Sequence, residues 1–381
     1  MNTIPSLDLR RQYTTIREEI NAHVLSLLAS GSYIGGPLVE KFEQEFASYI
    51  GTSECITCNS GTDALYLALR ALNIGSGDEV ITTPFTFIAT GEAISMTGAT
   101  PIFVDISAQT FNLNSEQVEA AITQRTRAIV PVHLFGQPAE MTRLMAIAKA
   151  HRLAVIEDCA QASGAEWAGQ KVGSIGDVGC FSFYPTKNLG GCGDGGAITT
   201  NNLALAAQMR MLQNHGTRVR YRHEIIGMNS RLDALQAVIL QVKLRYLDIW
   251  NNHRQEVAHR YDQLLDPVPG IILPQGLAEG QEVWNQYTIQ ILEPAQITSS
   301  QKGHYRDQVQ QRLQQRGIDS TVYYPLPLHL QPVYQPLGYQ LGQFPVAEQL
   351  AHQVLSLPMF PELTLEEQEQ VVHGLKDCLV R

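Results

Sequence analysis

One lysine, Lys187, stands in "FSFYPTKNLGGCGDGG", residues 181–196, among aromatics, a proline and five glycines, with Asp194 the one other charged residue. An amine held in a partly desolvated cleft loses proton affinity and becomes a usable nucleophile, and the chemistry that follows is Schiff-base formation with a carbonyl. "YPTKNLG" lacks the G-x-x-x-x-G-K pattern of a triphosphate-binding loop. An ion-pairing lysine stays open. Two further groups answer to Lys187. Asp158 closes the apolar run "AVIE", and "NSGTDALYLALRAL" sets Asn59, Ser60, Gly61 and Thr62 at the start of a helix, whose free N–H groups and dipole can hold a phosphate. Each has a plain alternative, since Ser60 is a good N-cap and a carboxylate at a strand end can cap the next turn.

Amine, carboxylate and phosphate cradle are what pyridoxal 5'-phosphate needs: a partner for its aldehyde, an anion to keep its ring nitrogen protonated, and a seat for its phosphate. Phe85 and Phe87 in "TPFTFIAT" offer an aromatic face for a flat ring, or serve as core residues.

These residues need a scaffold that brings strand ends together. "ECITC", "DEVITT", "TPIFVD", "AIVPVHLF", "AVIEDC", "CFSFY" and "GAITT" are short β-rich runs, mostly separated by helix-compatible segments such as "DALYLALRAL" and "MTRLMAIAKAH". Alternating strands and helices predict an α/β fold: a mainly parallel seven-stranded sheet covered on both faces. Ligands of such sheets bind beyond the carboxyl ends of the strands, where Asp158, Ser60 and Ser182 fall. Residues 231–250 read as one long amphipathic helix, and "DPVPG" breaks the pattern after it. We therefore expect a large domain over residues 1–250, with an N-terminal helical arm, and a small C-terminal α+β domain over 251–381. In the latter, "QYTIQI" reads as a strand, and "YRDQVQQRLQQRG" and "VAEQLAHQVLSL" read as helices.

Composition narrows the partners. The 27 basic against 37 acidic residues leave a net charge of −10, which repels nucleic acid. "HVLSLLA" is too short to span a membrane, and the charged first residues do not read as a secretion signal, so a cytoplasmic protein is expected. The six cysteines have no disulfide or zinc-finger spacing; Cys55 and Cys58 read as small strand residues, and no metal is expected.

The segments "CNSGTDALYLALRALNIGSGDEVITTPFTFIATGEAI", "VIEDCAQASGA", "GCFSFYPTKNLGGCGDGGAI", "NHGTRVRYRHEIIGMNSRLDALQAVIL" and "VLSLPMFPEL" together resemble the DegT/StrS-type sugar aminotransferases. The resemblance runs from about Ile4 past Pro358. It implies the fold-type-I pyridoxal-phosphate architecture, with Lys187 as the Schiff-base lysine, Asp158 as the partner of the ring nitrogen and Gln161 near the phenolic oxygen. Ser60, Gly61, Thr62 and Ser182 become phosphate ligands, and Phe87, ahead of Phe85, the stacking aromatic. In this family a segment matching Asn229 and Arg231 crosses a homodimer interface, the asparagine reaching the neighbour's cofactor phosphate and the arginine the substrate. Tyr324 and His329 are further expected substrate contacts. In the family's frequent "HYP", tyrosine replaces histidine here as Tyr323; His329, in "PLPLHLQ", also suits a structural role. Arg218, Arg220 and Arg222 are a candidate pyrophosphate or dimer contact, or else a solvated charged loop.

The implied reaction moves an amino group from glutamate, through pyridoxamine 5'-phosphate, to a keto group of a nucleotide-linked sugar. A branch with histidine in place of the lysine performs dehydration, so Lys187 favours transamination. Relatives aminating C3 show "EDAAQ", and many aminating C4 carry histidine where this chain has Gln161, which favours C3. Whether the sugar is a dTDP-linked 6-deoxy-3-ketohexose or a UDP-linked 3-keto-N-acetyl uronic acid stays open. The alternatives are a non-nucleotide substrate, as in aminoshikimate-type synthases or dehydratases, and a regulatory protein.

Overall fold

The structure is a computed structural model that describes residues 3–294 and 304–379. The seven β-rich runs become one sheet: β1 Glu54–Cys58, β2 Glu79–Thr82, β3 Thr100–Phe103, β4 Thr126–Ile129, β5 Ala154–Asp158, β6 Val178–Ser182 and β7 Gly196–Thr200. Their order is β1-β7-β6-β5-β4-β2-β3. All pairings from β3 to β6 are parallel, and β7 runs antiparallel to both β6 and β1. Six strands therefore point their carboxyl ends at one edge, and β7 starts there.

Alternation along the strands sorts side chains to two covered faces. On one, α3 Gly61–Ala71 and the helix Leu203–Gln213 bury Leu65, Leu69 and Met209 with Ile56, Ile156 and Ile198. On the other, Phe42 and Phe46 of α2 Pro37–Ile50 meet Phe181 and Phe183 edge-on. The arm α1 Leu9–Ser30 lays Ile16 and Ile20 on Ile239, Val242 and Trp250.

A second core surrounds a small antiparallel sheet of Ile271–Ile272, Tyr287–Ile291 and Val354–Leu357, with Tyr261, Val309, Phe360 and Leu375 at its centre. Ile4 pairs with Ile318 and joins this core, so the start of the chain packs with its end. Arg11 reinforces the tie by holding both carboxylate oxygens of Glu367.

Two sequence expectations change. The single helix over 231–250 is two, Ala234–Leu244 and Leu247–Leu265, and position 250 lies inside the second. No glycine or proline marks the break. It comes from tertiary contact, because Arg245 and Tyr246 at the corner both bond Glu19 of α1. The helix expected through "VAEQLAHQVLSL" ends at Gln353, and Val354–Leu357 is a strand paired with Tyr287–Gln290. There the Arg306 guanidinium takes up the Ala351 and Val354 carbonyls, which no further helical turn caps. Among the described residues no helix is long and apolar enough to cross a membrane.

Candidate active site

The sheet edge where six strands end carries a cavity of about 500 Å³, lined by Ser60, Gly61, Thr62, Phe87, Asp158, Gln161, Ser182, Lys187 and Tyr324 among others. Strand register explains the convergence. Cys58 and Ser182, the last residues of β1 and β6, both face Gly196, the first of β7, so three backbones meet at one end of the cleft.

Glycine makes that meeting possible at two positions. A Cβ on Gly61 would stand 2.7 Å from Ser182 Cβ, and one on Gly196 would stand 2.4 Å from the Ser60 carbonyl. Ser60 caps α3 by accepting from Asp63 N at 3.1 Å. The N–H groups of Gly61 and Thr62, ahead of the first helical carbonyl that could accept them, remain for an anion. The sequence reading left Ser60 as either cap or phosphate ligand; its oxygen caps, and its hydroxyl hydrogen stays available.

Asp158 ends β5 with 4% exposure. Burial raises its carboxyl pKa, opposed by the Thr90 hydroxyl donating at 2.8 Å, by Ala160 N–H at 3.1 Å and by the charge of Lys187. A cation brought against this carboxylate would hold it ionised. Lys187 sits in the turn after β6, its N–H donating to the Tyr184 carbonyl at 2.9 Å. Burial lowers its amine to about 8, with Asp158 pulling the other way. A sizeable fraction of the amine is thus neutral near physiological pH, as a nucleophile requires.

The two phenylalanines separate cleanly. Phe85 is fully buried and meets Tyr324 edge-on, whereas Phe87 is 58% exposed and lines the cleft. Gln161 is fixed from both ends: its Oε1 accepts from Phe135 N at 2.6 Å, and its Nε2 donates to the Tyr324 hydroxyl at 3.3 Å. Burial raises the Tyr324 phenol pKa and keeps it neutral.

Several residues of the site carried no sequence signal. Thr90, on α4 Ile88–Met96, reaches Asp158 from another strand's loop. Its only trace is the spacing Thr86 to Thr90, one helical turn. Asn285, Asn188 and Asn251 form a buried amide chain: Asn285 Nδ2 donates to Asn188 Oδ1 at 2.8 Å, and Asn188 Nδ2 donates to Asn251 Oδ1 at 2.8 Å and to the Val283 carbonyl at 2.7 Å. This chain clamps the turn that bears Lys187. His133, Glu157 and Cys159 cluster behind Asp158. Their donors are committed, since Glu157 takes the N–H groups of Gly173, Ile175 and Gly176 and also binds His133, whose Nδ1 accepts from Ala139 N–H.

Three expected residues lie outside this chain's cleft. His329 is 1% exposed; its Nε2 bonds Glu348 at 2.9 Å, and it packs edge-on against Phe344. Burial lowers its pKa. A ring enclosed in this way does not line this chain's cleft, and its bond to Glu348 gives it a structural role. Asn229 and Arg231 are exposed and flank the buried Ser230, whose hydroxyl donates to Asp63 Oδ2 at 2.6 Å and accepts from Asn59 N at 3.2 Å. They stand beside the start of α3 and do not line the cleft. Arg218 and Arg222 lie on the hairpin strands Thr217–Val219 and Arg222–His223, Arg220 lies in the turn between them, and all three are exposed.

The sequence matches the DegT/DnrJ/EryC1/StrS aminotransferase family over residues 14–376. It is 46% identical over 376 residues to the UDP-N-acetyl-3-dehydro-alpha-D-glucosamine 3-aminotransferase of Acidithiobacillus ferrooxidans, covering 99% of this chain and 98% of that one. It is 44% identical over 378 residues to the dTDP-3-amino-3,4,6-trideoxy-alpha-D-glucose transaminase of Streptomyces venezuelae, covering 99% and 97%. The crystal structure of S. venezuelae DesV in complex with a ketimine intermediate superposes with a TM-score of 0.94 at 43% identity, covering 99% of this chain and 98% of that one. With the match spanning nearly the whole sequence, and lysine, buried aspartate and anion cradle set in one cleft, the chain belongs to the DegT/DnrJ/EryC1/StrS aminotransferase family.

Proposed function

We propose that the protein is a pyridoxal-phosphate transaminase that carries the amino group of glutamate to the C3 keto group of a nucleotide-linked sugar. The observation that carries the reading is the pairing of Lys187, its amine lowered to about 8, with the buried Asp158 across one cleft that also holds the α3 anion cradle. The cofactor's protonated ring stabilises negative charge at the amino-bearing carbon.

The remaining work falls to the chain. Gly61 and Thr62 N–H groups with the Ser60 and Ser182 hydroxyls hold a phosphate, and the helix dipole favours its charge. Asp158, fixed by Thr90 and Ala160, stays ionised against the ring nitrogen. Phe87, exposed in the cleft, would stack on the ring, and Gln161 would serve its phenolic oxygen. The Lys187 Nζ would take up the proton that leaves the amino-bearing carbon and give it back later in the transfer, and taking it up is something a neutral amine can do and an ammonium cannot.

The working form in this reading is a cytoplasmic homodimer. Asn229 and Arg231 are exposed beside the cradle rather than inside it, and the preceding segment 217–226 carries Val219, Tyr221 and Ile226 at 61%, 82% and 83% exposure. Apolar residues so far out of their own core suit a second copy. Asn229 and Arg231 then serve the neighbour's cleft. The described cysteines are all free thiols, in keeping with a reducing compartment.

The test is a screen of nucleotide-linked 3-keto and 4-keto sugars with glutamate, reading amino sugar and 2-oxoglutarate by mass spectrometry and the aminated carbon by NMR. Equimolar products with nitrogen at C3 support the proposal. Amination at C4 only, or turnover of a non-nucleotide ketone only, overturns it.

A further inference from the structure

Behind the turn that carries Lys187, a side cavity of about 70 Å³ adjoins the main cleft. Thr186, Gln286 and Tyr323 line both spaces and form the doorway between them. On the far side, Ser6 and Thr321 are shared with a polar hollow of about 370 Å³, where Gln311, Gln314 and Asp319 are exposed. The three spaces run in series from the cleft to the surface.

Buried oxygens without partners mark this line. Asn285 is 5% exposed and donates through Nδ2 to Asn188 Oδ1 at 2.8 Å and to the Thr186 carbonyl at 3.5 Å. Both partners are acceptors, so the orientation of this amide is fixed, and its Oδ1 has no partner among the described residues. Gln286 Oε1 at the doorway and Ser320 Oγ at the outer hollow are likewise shielded and without a partner among them. Such atoms are costly to leave unpaired, and water, with two hydrogens to donate, is what satisfies them in a polar space of sufficient size. A cavity of about 70 Å³ is well above the roughly 15 Å³ that admits one water molecule.

Transamination turns over one water in each half. Release of 2-oxoglutarate hydrolyses a C=N bond: the water oxygen becomes the keto oxygen, and both hydrogens end on nitrogen. Joining the sugar's keto carbon to that nitrogen is the same exchange reversed, and it expels one water. We propose that the side cavity is the seat of this reacting water, held by Asn285 and Gln286 and exchanged with solvent past Thr321 through the outer hollow. The inference rests on the transaminase reading above and adds where its water is kept. A route behind the Lys187 turn stays open while a nucleotide-linked sugar occupies the cleft. Lys187 lines the cleft onto which the doorway gives, and its amine relays the hydrogens from the water oxygen to nitrogen, one on attack and one as the C–N bond breaks.

The experiment follows the cofactor-loaded protein with glutamate in D₂O and reads two quantities. Deuterium entering the α-position of recovered glutamate, measured by NMR, reports proton removal before any water is used. Formation of 2-oxoglutarate includes the water step. Thr321→Leu fills the cavity from a wall that does not line the cleft, and Gln286→Leu removes the doorway amide. Each is expected to slow 2-oxoglutarate formation about tenfold in a single turnover and to leave deuterium exchange within about twofold of wild type. A crystal structure of the loaded wild-type protein, a readout that needs no variant, should show ordered water bonded to Asn285 Oδ1 and Gln286 Oε1. A dry cavity, unchanged 2-oxoglutarate formation in both variants, or exchange lost in step with product overturns the seat and leaves the transaminase reading standing. Wild-type protein with bound cofactor that yields neither deuterated glutamate nor 2-oxoglutarate overturns that reading and the seat with it.

Discussion

Asp158 and Gln161 in the cleft and Asn188, next in sequence to Lys187, are each less than a tenth exposed and bonded within their own chain, whereas Tyr221 and Ile226 of the 217–231 segment are more than four-fifths exposed. The floor is finished by one chain. The outer segment is tied down at its end, where Met228 N and Ser230 N donate to the Leu212 and Gln213 carbonyls and the Ser230 hydroxyl is buried, and it presents its arginines with Val219, Tyr221 and Ile226 to solvent. The difference teaches how the work is divided. Chemistry that needs fixed protonation states is built where burial and hydrogen bonds set them, and contacts needed only for binding an anion or a second copy sit on a surface.

Predictions follow that division, starting with the floor. Lys187→Ala should lower kcat by about a thousandfold or more, as removing a positioned proton carrier does, in single-turnover assays with glutamate. Asp158→Asn should keep fold and cofactor yet slow the same half-reaction by about a hundredfold to a thousandfold. Near-normal turnover in either variant would mean that the floor is scaffold, not machinery.

The outer segment should fail differently. Asn229→Ala/Arg231→Ala should be inactive alone, but mixing it with Lys187→Ala in equal amounts should restore about a quarter of wild-type activity, because half the dimers then hold one complete site of two. No recovery, with subunit exchange confirmed by native mass spectrometry, would return both residues to their own chain's function.

Two smaller effects sharpen the contrast between exposed and buried groups. Phe87→Ala should weaken cofactor affinity with little change in thermal stability, whereas Phe85→Ala should cost about 3–5 kcal/mol of stability in denaturant titrations. The reverse pattern would exchange their roles. The lowered Lys187 pKa also sets a pH profile. Only the neutral amine attacks an aldehyde, so covalent capture of pyridoxal phosphate by the apo-protein should speed up as pH rises and level off above about 8. A rate still climbing past pH 10 would show an amine that the cleft does not desolvate.

Much of the floor was legible because strand ends are periodic features. Asp158 closes one apolar run, Ser182 another, and Ser60 to Thr62 open a helix, so a parallel sheet places them together. What escaped were contacts between segments remote in sequence. Thr90 meets Asp158 across 68 residues and Asn285 meets Asn188 across 97, and neither spacing leaves a local pattern. The break at Arg245 and Tyr246 escaped for the same reason, since the hydrophobic period runs through it and Glu19 of α1 makes the corner. His329 was legible only as an alternative, a substrate contact or a structural histidine in a Pro-rich loop, and its enclosure by Glu348 and Phe344 fits the structural one.

The central claim is that Lys187, and no other lysine, bonds the cofactor. Lys243 is the informative rival, since burial lowers its amine too, although its Nζ is tied to the Gly190 carbonyl at 2.7 Å. Borohydride reduction of the purified, cofactor-loaded protein, followed by digestion and peptide mass spectrometry, should place the added pyridoxyl mass on the peptide containing Lys187 and leave Lys187→Ala unlabelled. Label on Lys243 or on any other lysine, or a reducible adduct that survives in Lys187→Ala, would contradict the account.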